Sequence, residues 1–178
     1  NPAKELIEVG PMAHSLSGGI LVDENMQSTV KGLYAVGEAA GSFHGACRLA
    51  GNAASQAVLS GLLCAESIAK QETPVLPDDS SIPIEYNVDE KVYEKYVPQI
   101  KEIASKGLGV FRNGKDLEEA KGKLKDILSY SELQKDTAAH QTALSVLIIV
   151  SAALERKESR GSHLRTDYPN IDENLERS

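Results

Sequence analysis

Residues 33–55 read Leu-Tyr-Ala-Val-Gly-Glu-Ala-Ala-Gly-Ser-Phe-His-Gly-Ala-Cys-Arg-Leu-Ala-Gly-Asn-Ala-Ala-Ser. The apolar run Leu33 to Val36 has the length of a buried strand and is broken at Gly37, and an apolar-periodic helix begins near Asn52. Between them lies a loop punctuated by Gly37, Gly41, Gly45 and Gly51 that carries one carboxylate, one imidazole and one guanidinium, those of Glu38, His44 and Arg48. Glycines there either make tight turns or let the backbone approach a ligand. The helix that follows offers unpaired N–H groups and the positive end of its dipole, a setting for an anionic or carbonyl-rich group. Spacing alone leaves the two uses level, and the polar trio tips the balance toward a site.

The flanking segments extend the pattern. Gly18-Gly19 lead into Ile20-Leu21-Val22, expected as a strand ended by Asp23-Glu24-Asn25, and residues 19–36 read as a hairpin-like or adjacent strand pair joined by a polar connection at Ser28 to Lys31. His14 sits on the loop feeding the first strand, where a structural hydrogen-bonder is the commoner role. Asn52 to Lys70 is a helix with a small-residue face, which permits close approach to a sheet or cofactor. The stretch 71–86, with Pro74, Pro77, Pro83 and Asp78-Asp-Ser-Ser81, reads as a linker between domains at 1–70 and 87–178.

Beyond the linker the pattern is helices only. Asn87 with Glu90 suggests a capping box for a helix with Val92, Tyr93, Tyr96, Val97, Ile100 and Ile103, tolerating or kinking at Pro98 and stopping at Gly107-Leu-Gly. Asp116 is the expected cap of a second helix, with Leu117, Ala120, Leu124, Ile127 and Leu128 on one face, and Thr137 to Lys157 forms a third. Its apolar stretch Ala143 to Leu154 is short for a bilayer of ~30 Å and reads as a buried helix of a soluble protein. The charged tail after Glu155 is either a solvated face or, through Arg160, His163, Arg165 and Asp167, a hydrogen-bonded network against another domain.

The net charge of −7 and the lack of a basic stripe argue against a nucleic-acid partner. Cys47 and Cys64 form no CxxC pair and have no nearby histidine pair, so no metal is expected and a reducing compartment fits. The start at Asn1, with no leader, reads as a piece of a longer chain.

Four segments in register now become specific: His14-Ser-Leu-Ser-Gly-Gly-Ile, Gly32-Leu-Tyr-Ala-Val-Gly-Glu-Ala-Ala-Gly, His44-Gly-Ala-Cys-Arg-Leu-Ala-Gly-Asn and Glu158-Ser-Arg-Gly-Ser-His-Leu-Arg-Thr-Asp-Tyr-Pro. Together they resemble the C-terminal third of the flavoprotein family of succinate dehydrogenase, fumarate reductase and L-aspartate oxidase. The resemblance implies an α+β chain: the closing part of a Rossmann-like FAD-binding domain, short strands plus one helix, followed by a three-helix bundle. It implies FAD as cofactor and hydride transfer between the flavin and a small dicarboxylate of the succinate or fumarate type. His14 and Arg48 would hold a substrate carboxylate, and Glu38 would accept hydrogen bonds from the FAD ribose. Gly18, Gly19, His44, Gly45, Arg48, Leu49, Asn52, Ala53 and Ser55 would border the cofactor, the backbone of residues 49–55 facing the flavin's pyrimidine edge.

The family's proton-donating arginine and nucleotide fingerprint lie in upstream domains, so no catalytic residue is assigned in this piece, which is expected to be inactive alone. The implied partners are those N-terminal FAD and capping domains and an iron–sulfur subunit, with a cytoplasmic place at the inner face of a membrane and no transmembrane segment. Cys47 where asparagine is usual, Ala50 and Ala53 in a Gly-Gly-Asn-Ser type segment, and Ser15 where tyrosine is frequent leave room for another small carboxylate. The alternatives are an L-aspartate oxidase-like enzyme, or a helical subunit-docking module without chemistry of its own.

Overall fold

The structure, a computed structural model, describes residues 15–41, 43–71 and 86–175. They fall into two compact units, one holding residues 15–71 and the other residues 86–175. The linker expected at 71–86 lies outside the described residues except for its two ends.

In the first unit the expected strands are reduced to isolated bridges. Ile20 pairs with Ala40 in parallel, Val22 with Ser28 and Gln27 with Tyr34 in antiparallel fashion. The anticipated pairing of residues 20–22 with residues 33–36 is therefore corrected: both arms adjoin residues 26–28, through Asp23 N–H to Gln27 O at 2.9 Å and Ala35 N–H to Met26 O at 3.1 Å. Two tight turns produce this. Asp23 Oδ1 accepts the N–H groups of Asn25 and Gln27, and Ser28 Oγ accepts that of Val30, so local side-chain bonds replace a ladder. With each arm so short, Ile20, Leu21 and Leu33 stay exposed and only Met26, Ala35 and Ala40 are buried among the bridge segments.

A 3₁₀ turn, Gly37–Ala39, leads into the glycine loop, and helix α1 follows at Asn52–Ala69. The expected small-residue face is corrected: Ala54, Ala57, Val58, Leu62, Ala65, Ile68 and Ala69 are exposed and Gly61 half-buried, while the helix buries Ser60 and Cys64 instead, with Ala57 lying under Gly37.

The second unit is a three-helix bundle of α2 (Glu90–Gly107), α3 (Gly114–Ser129) and α4 (Thr137–Glu155), with a 3₁₀ turn at Ser131–Lys135 before α4. Ile100, Leu117, Leu124, Leu133 and Val150 are fully buried at its centre. Pro98 is passed without a break, because it sits on the solvent side where the carbonyl it frees can be hydrated. Two caps differ from the sequence reading. Asp89, not the Asn87/Glu90 pair, caps α2 by accepting the N–H groups of Lys91 and Val92. Asn113 caps α3, accepting from the Asp116 N–H at 2.9 Å and donating to the Asp116 carboxylate, so Asp116 is the third-position partner of the cap.

The starts of α2 and α4 are joined. Buried Asp136 caps α4 through the Ala139 N–H at 2.7 Å and accepts the Asp89 N–H at 3.0 Å. Beside it Thr137 N–H donates to Asn87 O, and Asn87 N–H donates to Thr137 Oγ1, both at 2.9 Å. α4 is long and apolar enough by composition to cross a membrane, yet Ala139, Ala143, Val150 and Ala153 are buried in the bundle.

The helices-only expectation is also corrected: β1 (Phe111–Arg112) and β2 (Leu164–Arg165) form a two-residue parallel sheet inside this unit, Phe111 opposite Leu164. The charged tail supplies β2 and folds onto its own unit. Arg165, 2% exposed, donates to both oxygens of Asp167 at 2.8 Å and, through Nη1, to the carbonyls of Ala153, Leu154 and Arg156 at the end of α4. Asp167 in turn accepts the Gly114 N–H at 2.8 Å, at the start of α3. The carbonyls left over at one helix end and a donor at another are thus satisfied by one ion pair. The Arg165 guanidinium holds the Asp167 carboxyl well below the usual carboxylate range.

Beside this pair, fully buried Glu158 accepts from Arg160 at 3.0 Å, from the Asp172 N–H at 2.8 Å and from Arg156. The hydrogen bond from Arg160, with those from Asp172 and Arg156, lowers its pKa to about 2 against the cost of burial. His163 lies between Arg112 Nη1, 3.0 Å from Nδ1, and Arg156 O, 3.1 Å from Nε2. A carbonyl can only accept, so Nε2 carries the proton and Nδ1 accepts from Arg112. Burial, together with the charges of Arg112, Arg165 and Arg156, lowers the His163 pKa.

Candidate functional site

The site is built in the first unit on two loops and the start of α1. The first loop brings residues 16–20 against residues 37–41. Ile20 N–H donates to Ala39 O at 2.8 Å and Gly41 N–H to Ile20 O at 2.9 Å. The approach is so close that a Cβ on Gly19 would lie 2.6 Å from Ala39 O and 2.7 Å from Gly41 N. Only glycine fits there. Gly18, one residue earlier, has nothing within 4 Å of its Cβ position. Exposed Glu38 lies in the adjoining 3₁₀ turn, and its Oε1 accepts the Leu16 N–H at 2.8 Å. Gly18, Gly19 and Glu38 are therefore brought together, although the last two stand 19 positions apart in the chain.

The second loop carries half-buried His44 and Arg48 with exposed Gly45 and Leu49. Among the described residues the Arg48 guanidinium has no ion-pair or hydrogen-bond partner. Gly51 at φ +87° turns the chain into α1 with no side-chain cap, and Asn52, Ala53, Ala54 and Ser55 are exposed. The helix start therefore presents N–H groups and a partial positive charge to the outside beside a guanidinium. His14 lies outside the described residues.

Side chains of α1 tie the first loop to this helix. Ser60 Oγ accepts the Gly37 N–H at 3.0 Å, and Gln56 Nε2 donates to Gly37 O at 3.2 Å. Nothing in the sequence singles these two out, since α1 also carries Asn52, Ser55, Glu66 and Ser67.

Residues 1–54 match the family model described as "FAD binding domain", and residues 131–176 match "Fumarate reductase flavoprotein C-term". The relatives the chain matches include L-aspartate oxidases and a fumarate reductase flavoprotein subunit. The chain is 39% identical over 178 residues to an L-aspartate oxidase of Pyrococcus abyssi, an alignment covering 99% of this chain and 35% of the relative. It is 30% identical over 200 residues to a fumarate reductase flavoprotein subunit of Helicobacter pylori, covering 96% of this chain and 28% of that protein. Among solved structures, Sdh1 of Mycobacterium smegmatis is similar with a TM-score of 0.63 and 26% identity, over 94% of this chain and 33% of the other. The chain spans about a third of the length of the relatives it matches.

The cofactor these matches imply is FAD. The residues present suit it: open space at Gly18, Gly45 and Gly51, an exposed uncapped helix start, and an exposed carboxylate at Glu38. An anionic or carbonyl-rich edge would find donors at the start of α1, and hydroxyl donors would find an acceptor at Glu38.

Proposed function

We propose that residues 1–70 form part of the flavin- and substrate-facing wall of an FAD-dependent oxidoreductase that acts on a small dicarboxylate, working within a longer chain. The observation that carries this is a guanidinium without a partner among the described residues, Arg48, placed four residues before an uncapped, exposed helix start. Arg48, with His14, grips a substrate carboxylate, which the planar fork of an arginine binds bidentately. Glu38 accepts hydrogen bonds from the ribose of the cofactor. The backbone of Leu49, Asn52, Ala53 and Ser55 borders the flavin's carbonyl edge, the Asn52 N–H being held by Leu49 O in the turn, with Gly18, Gly19, His44 and Gly45 lining the approach. When bound, FAD supplies hydride exchange with a substrate carbon. The chain's own contribution is to orient the substrate over the cofactor and to place the positive end of α1 where negative charge is favoured. An iron–sulfur partner subunit and a cytoplasmic position against the inner face of a membrane belong to the same proposal; the likeness to Sdh1, which was solved as a complex, supports partner subunits.

The test uses the full-length protein, purified and examined by visible absorbance and by turnover of succinate, fumarate and L-aspartate. Flavin bands with turnover of one of these fix the substrate. Arg48→Ala is expected to raise the substrate constant and lower turnover at least tenfold, about 1.4 kcal/mol of transition-state stabilisation. Unchanged kinetics would remove Arg48 from the site, and a colourless protein would remove the proposal altogether.

A further inference from the structure

We propose that Ser60 and Gln56 are positioning residues for the cofactor, acting through Gly37 on Glu38. Gly37 takes φ +60°, a left-handed conformation, at the turn immediately before Glu38. Both of its polar groups are held from α1. Ser60, 2% exposed, accepts the Gly37 N–H at 3.0 Å while its own hydroxyl donates to Ala57 O at 3.2 Å. Gln56 Nε2 donates to Gly37 O at 3.2 Å, an oxygen that also takes the Ala40 N–H.

Packing does not require the hydroxyl. The neighbours of Ser60 on this face, Ala57 and Cys64, are small, and alanine would fill the same space; what Ser60 alone supplies is an acceptor for an otherwise unsatisfied N–H. Its loss frees the turn to rotate, and with it the Glu38 carboxylate whose other contact is the Leu16 N–H. Gln56 also lies directly after the exposed first turn of α1, Asn52 to Ser55. The clamp therefore fixes the carboxylate and the helix start relative to each other, the two groups that meet opposite ends of the proposed ligand's ribose and flavin region. This inference rests on the assignment of Glu38 to the FAD ribose.

The experiment compares Ser60→Ala, Ser60→Thr, Gln56→Ala and Glu38→Ala in the full-length protein. FAD affinity is read from the quenching of flavin fluorescence on rebinding to apoprotein, with the substrate constant measured at saturating FAD and the apoprotein's thermal midpoint as a fold control. Ser60→Ala is expected to weaken FAD about tenfold with an unchanged substrate constant, while the lost acceptor lowers the apoprotein midpoint by only a few degrees and leaves it folded. Ser60→Thr, which keeps the hydroxyl, restores binding. Normal FAD affinity in Ser60→Ala beside weakened affinity in Glu38→Ala overturns the clamp and leaves the Glu38 assignment standing. Normal affinity in Glu38→Ala overturns that assignment and the clamp with it. If Ser60→Ala does not fold, Gln56→Ala carries the test: several-fold weaker FAD supports the clamp, and unchanged affinity overturns it.

Discussion

Replacing Arg165 by alanine removes five hydrogen bonds at once: two to Asp167 and three to the last carbonyls of α4. Their gross energies cannot be summed, because water would serve part of each group on unfolding. The relevant scale is that of breaking a buried ion pair by removing one partner, about 3–5 kcal/mol. The Asp167 side chain is 35% exposed, so solvent softens its loss and the lower end applies. About 3 kcal/mol corresponds to two decades in the local opening equilibrium. Hydrogen–deuterium exchange of the intact protein reads this directly: amides at the end of α4 and at residues 113–117 exchange about a hundredfold faster in Arg165→Ala. Arg165→Lys recovers little, since an ammonium cannot span both Asp167 oxygens and three carbonyls. A double-mutant cycle with Asp167→Ala isolates the pair term. Exchange unchanged in Arg165→Ala, or a lysine variant equal to wild type, would refute the view that this guanidinium closes the bundle.

The carboxyl of Glu158 is lowered from 4.5 to about 2 and His163 is lowered from 6.5, so the unfolded chain binds more protons than the folded one at acid pH. Both contributions to stability are complete above pH 6.5; that of His163 declines below this value and that of Glu158 as pH falls from 4.5 toward about 2. Urea unfolding of the bundle at pH 7, 5 and 3 should show a falling midpoint, with a shallower decline below pH 4.5 in Glu158→Gln; a midpoint that holds or rises with acid contradicts it. Separately, Gly19→Ala forces a Cβ to within 2.6 Å of backbone and is expected to cost about 1–3 kcal/mol, seen as faster exchange at residues 37–41. Gly18→Ala, with open space around it, leaves that exchange unchanged, and equal behaviour of the two variants would contradict the close approach.

The four helices were legible because their apolar spacing is sustained for four turns or more, which loop interactions cannot overrule. Their caps were less so. Asn87 and Asp89, like Asn113 and Asp116, are both capping residues within one turn, and only the backbone decides which accepts and which assists. The apolar runs at Ile20 and Leu33 have strand composition, yet a strand is made by its neighbours, and the turns at Asp23 and Ser28 set residues 26–28 between them. The tail offered equal arguments for a solvated face and for a network; burial of Glu158 and Arg165 decided for a network, within its own unit. At the site, residue types announced a ligand region, but the contact of Gly19 with Gly41 depends on two loops crossing, which one-dimensional spacing does not contain.

The joined starts of α2 and α4 also determine how the bundle bears load. A pull on the chain ahead of Asn87 does not peel α2 away one residue at a time. It first meets the two reciprocal hydrogen bonds with Thr137 and the carboxylate of Asp136, which are stressed together. Force entering at residue 86 is passed sideways into α4, the most apolar helix, before α2 yields. The bundle is thus anchored to incoming chain through two of its helices at once, and gives way as a block under tension.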